Sequence, residues 1–176
     1  NLERTSRRVV DSNVDMAVAF DGDADRAVFV DETGRMVETD RCIVLLARDV
    51  LRDHPGGLVV HDIKCTDRVG EEVRRAGGVP SRERSGYSFL KTRLLRDDAV
   101  FAGEASGHFL FAELGGDDGI YAALRMARLL VESGGTMSEL AATVPDFHIT
   151  PDIRISVDDP AAAVKRIREA FDDYPQ

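Results

Sequence analysis

Leu58-Val59-Val60-His61-Asp62-Ile63, followed by Thr66 to Ala76, Gly77-Gly78 and Val79-Pro80-Ser81-Arg82-Glu83, is the stretch on which the fold turns. Its first six residues form a short β-branched run of strand length. Thr66 is a residue type that caps helices, and Gly77-Gly78 supplies the conformations that end one. Val79 to Glu83 then reads as another short strand. Strand, helix and strand in immediate succession make a βαβ unit, whose two strands run parallel.

The alternation continues outward in both directions. Upstream, Pro55-Gly56-Gly57 ends a helix that runs from Asp40, read as its cap, to about Asp53, with Ile43, Leu46, Ala47 and Val50 on one face. Downstream come a helix over Ser88–Arg96, strands over Val100–Gly103 and His108–Ala112, and a long helix over Asp117–Glu132. Ser133-Gly134-Gly135 closes that helix, and a short one follows over Met137–Thr143. The pattern predicts an α/β domain over residues 36–147, with a mixed, largely parallel sheet and helices on its faces.

The flanks are thinner. Leu2 to Asp11 reads as a charged helix, and Asp15–Phe20 and Ala27–Val30 as strands on either side of a polar loop. Asp31-Glu32-Thr33-Gly34 is a turn of the kind that closes a hairpin. At the other end, Ile149–Val157 reads as a strand and Pro160–Asp172 as a helix begun by proline. Neither flank has enough apolar residues for its own core, so 1–35 and 148–176 are expected to be parts of two further domains.

Composition sets outer bounds. The 176 residues are 43% hydrophobic and carry a formal charge of −9. That charge leaves no footprint for nucleic acid, whose phosphates it would repel. No apolar run reaches the roughly 20 residues of a membrane span, so no membrane partner is expected and the cytoplasm is the expected compartment. Cys42 and Cys65 stand far apart with no metal-ligand spacing and read as buried small hydrophobes. His54, His61 and His148 read as surface or packing residues, and Asp97-Asp98 and Asp158-Asp159 as turns and caps.

The sharpest chemical signal is Asp21-Gly22-Asp23-Ala24-Asp25-Arg26. Three carboxylates at alternate positions beyond a strand end converge if the loop curves, and the small residues between them stay clear. Such a set of hard oxygens suits Mg²⁺ or Ca²⁺. Arg26 adds a forked cation suited to a phosphate. A solvated acidic loop would leave the carboxylates repelling one another. An EF-hand loop fits Asp21, Asp23, Asp25 and Glu32 by spacing, but Arg26 stands where that loop needs glycine and the flanks read as strands. A nucleophilic-aspartate phosphatase would use Asp21 and Asp23 and leave Asp25 unexplained. No Gly-X-Gly-X-X-Gly turn follows a strand, which argues against a dinucleotide fold.

A second signal, Gly103-Glu104-Ala105-Ser106-Gly107-His108, lies between two strands. In an extended segment Glu104 and Ser106 point the same way and can bind neighbouring hydroxyls, as on a sugar. His108 can orient a phosphate or move a proton near neutrality.

Together the two loops resemble those of the α-D-phosphohexomutase superfamily, and most of all its bacterial phosphomannomutase/phosphoglucomutase branch. That family has four domains, with an Asp-Gly-Asp-X-Asp-Arg metal loop in the second and a Gly-Glu-X-Ser-Gly-His sugar loop in the third. Ile63-Lys64-Cys65-Thr66 and Gly116-Asp117-Asp118-Gly119-Ile120-Tyr121 fit the likeness as well. The resemblance implies the end of domain two over 1–35, domain three over 36–147 and the start of domain four over 148–176. It implies that Asp21, Asp23 and Asp25 hold Mg²⁺, that Arg26 steadies a phosphoryl group, and that Glu104 and Ser106 grip sugar hydroxyls. Lys64 and His108 would line the active centre.

The family often has histidine where this chain has Tyr87. A phenol hydrogen-bonds substrate but carries protons poorly at neutral pH, and Arg84 stands nearby as a basic phosphate ligand. The implied reaction moves phosphate between O1 and O6 of a hexose phosphate through a hexose 1,6-bisphosphate and a phosphoserine. No Ser-His-Asn-Pro-like loop occurs in these residues. The expectation is therefore a mutase segment that needs domains one and four of the same polypeptide and turns over little by itself. A phosphoglucosamine mutase, or a non-catalytic metal and sugar-phosphate-binding module, is the alternative.

Overall fold

The structure, a computed structural model, describes residues 2–150 and 153–172. It opens with helix α1 (Leu2–Ser12), whose Val9 is buried against a two-stranded antiparallel hairpin. Strands β1 (Met16–Phe20) and β2 (Ala27–Asp31) pair from Met16↔Asp31 to Phe20↔Ala27, so the acidic loop 21–26 is the hairpin's own connection. The turn after β2 closes a second, minimal hairpin, in which Val30 bridges Met36.

The main sheet has five strands, β3 (Leu58–Asp62), β4 (Val79–Glu83), β5 (Phe101–Gly103), β6 (Phe109–Phe111) and β7 (Gly116–Asp117), in the order β4-β3-β5-β6-β7. β3 runs parallel to β4 and β5, as the βαβ reading requires, while β5–β6 and β6–β7 are antiparallel. The sheet is thus mixed, parallel on one half only. Short connections account for the difference: five residues join β5 to β6, too few for a crossover. A 3₁₀ turn (Ala112–Leu114) with left-handed Gly115 leads into β7, a strand too short to leave a periodic signal.

Alternation along the strands sorts their side chains onto two faces. Val59, Phe101, Phe109 and Phe111 meet α2 (Thr39–Asp53), α3 (Asp67–Arg75), α5 (Gly119–Ser133) and α6 (Met137–Ala142) in the larger core. Val60, Ala102 and Leu110 meet Leu90 and Leu94 of α4 (Tyr87–Arg96) on the other face. The hairpin shares the larger core through Ala27 and Phe29, and the Phe29 and Phe109 rings stand edge to face at 6.0 Å.

Some local expectations change. Asp40 does not cap α2: the helix begins at Thr39 behind Glu38, and the Asp40 carboxylate accepts from the Thr66 N–H and hydroxyl, both at 2.7 Å. Thr66 keeps the N-cap position of α3 but spends its hydroxyl on that bond. α5 starts at Gly119, capped by Asp118. The strand expected over 149–157 does not form among its described residues; Pro151 and Asp152 lie outside them. Extended backbone needs a partner ladder to become a strand. The final helix, α7 (Pro160–Ala170), forms behind its Asp159 cap and buries no residue. Cys42 and Cys65 are buried thiols, and burial pushes both far above their ordinary range. No described helix is long and apolar enough to cross a membrane.

Candidate active site

The loops after β3, β4 and β5 leave the sheet at the carboxyl ends of parallel strands, where open α/β sheets place their ligands. The acidic loop reaches the same place from the hairpin. Arg26 forms an isolated antiparallel bridge with His108, and the Ala27 N–H donates to the Gly107 carbonyl at 3.1 Å. Gly107 has φ +96°, and a Cβ there would lie 3.0 Å from the Ala27 oxygen, so only glycine lets the two loops touch without strain. On the far side the Gly119 N–H donates to the Ala24 carbonyl at 3.0 Å, seating the acidic loop on the first turn of α5.

Within that seat Asp21, Asp23 and Asp25 each offer a carboxylate oxygen, all within 4.8 Å of one another. Ala24 takes a left-handed φ of 63°, an uncommon choice for alanine that lets the chain curve round this point. Asp25 Oδ1 is buried with no hydrogen-bond partner. Burial raises the Asp25 carboxyl above its ordinary range; His108 acts against this, while Asp21 and Asp23 add to the rise. Desolvation would raise Asp21 too, but bonds from Arg26 hold it low: Arg26 Nε lies 2.5 Å from Asp21 Oδ2. Three hard oxygens, with one buried Asp25 oxygen left without a hydrogen bond, fit a divalent cation.

The second loop is a tight turn rather than an extended segment. The Gly107 N–H returns to the Glu104 carbonyl at 3.0 Å, and Glu104 N–H to that of His108 at 2.9 Å. Glu104 and Ser106 still converge, because both meet His108 Nδ1: Glu104 Oε2 at 3.0 Å and Ser106 Oγ at 2.8 Å. The other nitrogen, Nε2, faces Asp25 Oδ2 at 3.5 Å and Asp117 Oδ2 at 3.7 Å. His108 therefore links the acidic loop to the Glu104–Ser106 pair.

A cleft of about 460 Å³ opens beside this link, lined by Asp40, Asp62, Lys64, Ser85, Glu104 and Ser106 among others. That is room for a sugar phosphate. Tyr87 lies against the His108 ring, centroids 5.7 Å apart, and its hydroxyl accepts from Lys91 at 2.8 Å. Arg84 is not drawn into this cleft; its guanidinium lies over the Phe89 ring, 3.5 Å from the centroid.

Three groups at the site escape a reading of the chain by itself. Asp117 has a side chain only 8% exposed, and its buried Oδ2 has no hydrogen-bond partner; in sequence it is indistinguishable from its neighbour Asp118, which caps α5. Lys91 joins Tyr87 one helical turn on, a spacing that also suits a solvated helix face. Asp62 reads as the polar end of a strand, yet it is buried.

Residues 38–147 match the family model described as phosphoglucomutase/phosphomannomutase, alpha/beta/alpha domain III. A phosphomannomutase/phosphoglucomutase from Pseudomonas syringae pv. tomato is 38% identical over 161 residues, which are 90% of this chain and 35% of the relative. Phosphohexose mutases from Xanthomonas campestris pv. campestris are 37% identical over 175 residues, 98% of this chain and 39% of the relative. This chain thus spans little more than a third of the length of these curated relatives. The crystal structure of a phosphoglucomutase/phosphomannomutase family protein from Burkholderia thailandensis superposes with TM-score 0.81 at 34% identity, over 86% of this chain and 33% of that one. An Aspergillus fumigatus N-acetylphosphoglucosamine mutase, solved with GlcNAc-6P and magnesium, shares the fold: TM-score 0.60 at 21% identity, over 74% of this chain and 33% of that one.

Proposed function

The chain belongs to the phosphoglucomutase/phosphomannomutase family, and from that premise we propose that it forms the metal-binding and sugar-binding centre of a phosphohexomutase, one that moves phosphate between O1 and O6 of a hexose phosphate by way of a hexose 1,6-bisphosphate. The observation that carries this reading is the interlock of the two loops, which sets the Asp21–Asp23–Asp25 cluster and the Glu104–Ser106 pair on either side of one imidazole.

In this reading Asp21, Asp23 and Asp25 hold Mg²⁺. When bound, magnesium neutralises phosphoryl charge and polarises the oxygen it touches. Arg26, fixed by Asp21 at its Nε edge, turns its half-exposed guanidinium to the phosphoryl group. Glu104 and Ser106 exchange their bonds at His108 Nδ1 for bonds to neighbouring sugar hydroxyls. His108 moves a proton at Nδ1, while Nε2 faces Asp25 and Asp117. Lys64 and Tyr87 contact substrate from the cleft wall and the far side of the ring, and Arg84 joins only if it leaves Phe89. The phosphorylated serine and the remaining phosphate contacts come from other parts of a longer polypeptide, and the reaction belongs to cytoplasmic sugar metabolism.

The test is a coupled assay of glucose 1-phosphate and mannose 1-phosphate isomerisation with Mg²⁺ and glucose 1,6-bisphosphate. These 176 residues should give little turnover by themselves; a polypeptide that joins them to a phosphoserine domain and a fourth domain should turn over at least one sugar. Asp23→Ala there should reduce kcat by about a hundredfold or more, the loss of charge stabilisation at the transferred group. Substantial turnover by the chain itself would refute the division of labour, and none in the joined polypeptide would leave a binding module.

A further inference from the structure

Three loops of the proposed site converge on one acceptor. Asp62 ends β3 and is 1% exposed. Its Oδ1 accepts from the Lys64 N–H at 3.0 Å and from the Ser85 hydroxyl at 2.5 Å, and its Oδ2 accepts from the Ala105 N–H at 3.3 Å. The donors belong to the loops that follow β3 and β4 and to the loop between β5 and β6. All three are uncharged, and among the described residues Asp62 makes no ion pair. A buried carboxylate solvated only by such donors is sensitive to where each stands, because in low dielectric every missing bond is felt.

We infer that Asp62 is a positioning residue, which holds the three loops in register and so sets where Glu104, Ser106 and Lys64 meet a bound hexose phosphate. The inference rests on the hexose-phosphate reading above. Ala105 sits between Glu104 and Ser106 in the tight turn, so its bond to Oδ2 fixes the turn that aims both side chains. Ser85 stands two residues before Tyr87, and Lys64 two residues after Asp62. The side-chain bonds of Asp62 go to Lys64, Ser85 and Ala105 and to neither the Asp21–Asp25 cluster nor His108, so its loss should spare cation binding.

Asp62→Asn isolates the effect. Volume is kept, and the amide oxygen in the Oδ1 place still serves Lys64 and Ser85, but the amide nitrogen then confronts the Ala105 N–H, donor against donor. Three measurements on the full chain test this: amide hydrogen exchange by NMR, affinity for glucose 6-phosphate with Mg²⁺ present, and affinity for Mn²⁺. In Asp62→Asn, exchange at Ala105 should quicken and glucose 6-phosphate affinity fall about tenfold, the worth of one lost hydrogen bond with its donor left unpaired, with Mn²⁺ affinity unchanged. Ser85→Ala, which removes one bond and adds no clash, should weaken glucose 6-phosphate about twofold to threefold, the low end of a single bond's worth. Unchanged exchange at Ala105, or unchanged sugar affinity, in a folded Asp62→Asn overturns the inference. If Asp62→Asn does not fold, unchanged sugar affinity in Ser85→Ala overturns it instead. If neither the unmodified chain nor a polypeptide that joins it to a fourth domain binds glucose 6-phosphate, the hexose-phosphate reading fails, and positioning by Asp62 stands or falls on Ala105 exchange.

Discussion

At the scale of single residues, Asp25 shows how the acidic loop concentrates negative charge. Burial raises its carboxyl; His108 acts against the rise, and the neighbouring Asp21 and Asp23 add to it by repulsion. A carboxyl whose folded pKa lies above its unfolded value takes up a proton more readily when folded. Asp25's own contribution to the stability of the cation-free chain should therefore rise as pH falls toward the ordinary aspartate range and be lost as Asp25 ionises, against the opposite trend of carboxyls held low, such as Asp49. Asp25→Asn removes that repulsion. At pH 7 it should raise the melting temperature of the cation-free chain slightly, because the side chain is 38% exposed and solvent screens most of the effect. The same variant should lose the stabilisation that Mn²⁺ gives the unmodified chain, with affinity reduced by about a hundredfold. Melting curves with and without Mn²⁺ decide it: an unmodified chain indifferent to Mn²⁺ would remove the metal site from the account. The three aspartates were legible because alternation past a strand end is a local pattern. Asp62 and Asp117 were not, because nothing within a few residues of either says that it is buried or which donors face it.

Among the elements, α2 is the one whose environment departs furthest from its pattern. Ile43, Leu46, Ala47 and Val50 mark one apolar face, yet Val44, Leu45, Leu51 and Asp49 are buried as well, since the helix lies between the sheet and α3, α5 and α6. Its polar residues are partnered far along the chain. Asp49 accepts from Arg125 at 2.8 Å and from Arg128 at 2.6 and 2.7 Å, and from Arg52 on its own helix. Burial would raise this carboxyl, but the three guanidinium groups hold it below the ordinary range. The stabilisation is thus present above the unfolded pKa and lost as pH falls through the folded one. Asp49→Asn should cost about 2–3 kcal/mol at pH 7, below the full penalty for a broken buried pair because Arg52 and Arg128 are half exposed. In urea unfolding the gap between variant and unmodified chain should begin to close below pH 3.8, the ordinary aspartate value, and vanish as pH falls through the lower folded pKa; a gap that persists below both would assign the loss to packing rather than charge. Periodicity placed α2 and β3 in the chain, but it carries no information on partners about eighty residues away.

For the whole molecule, the reading in three parts, 1–35, 36–147 and 148–176, meets an uneven structure. The core is continuous across residue 35: Ala27 and Phe29 of the hairpin pack with Phe109, Ala122 and Met126, and the acidic loop is bonded to both Gly107 and Gly119. Local pattern could not show this, since a hairpin's apolar face looks alike whether it meets its own domain or the next. The other end differs. Arg41 fastens the segment after α6 by donating to the Ala141 carbonyl at 2.9 Å, the Val144 carbonyl at 2.5 Å and Asp146 at 2.8 Å, and its guanidinium lies 5.1 Å from the Phe147 ring centroid. Beyond Phe147, Ile153, Ile155, Val164 and Ile167 are exposed and α7 buries nothing. The two ends should therefore answer deletion in opposite ways. A chain that stops after Asp152, without α7, should keep its melting temperature to within about 2 °C, because a change below about 0.5 kcal/mol moves a domain of this size no further. A chain that starts at Met36 should fail to fold or should aggregate, because it uncovers Phe109, Ala122 and Met126 and forfeits several kcal/mol of apolar burial. Circular dichroism melts of the two deletions make the comparison. Equal stability in both would mean that the hairpin is an appendage and that the interlocked loops are held by the site's own bonds rather than by a shared core.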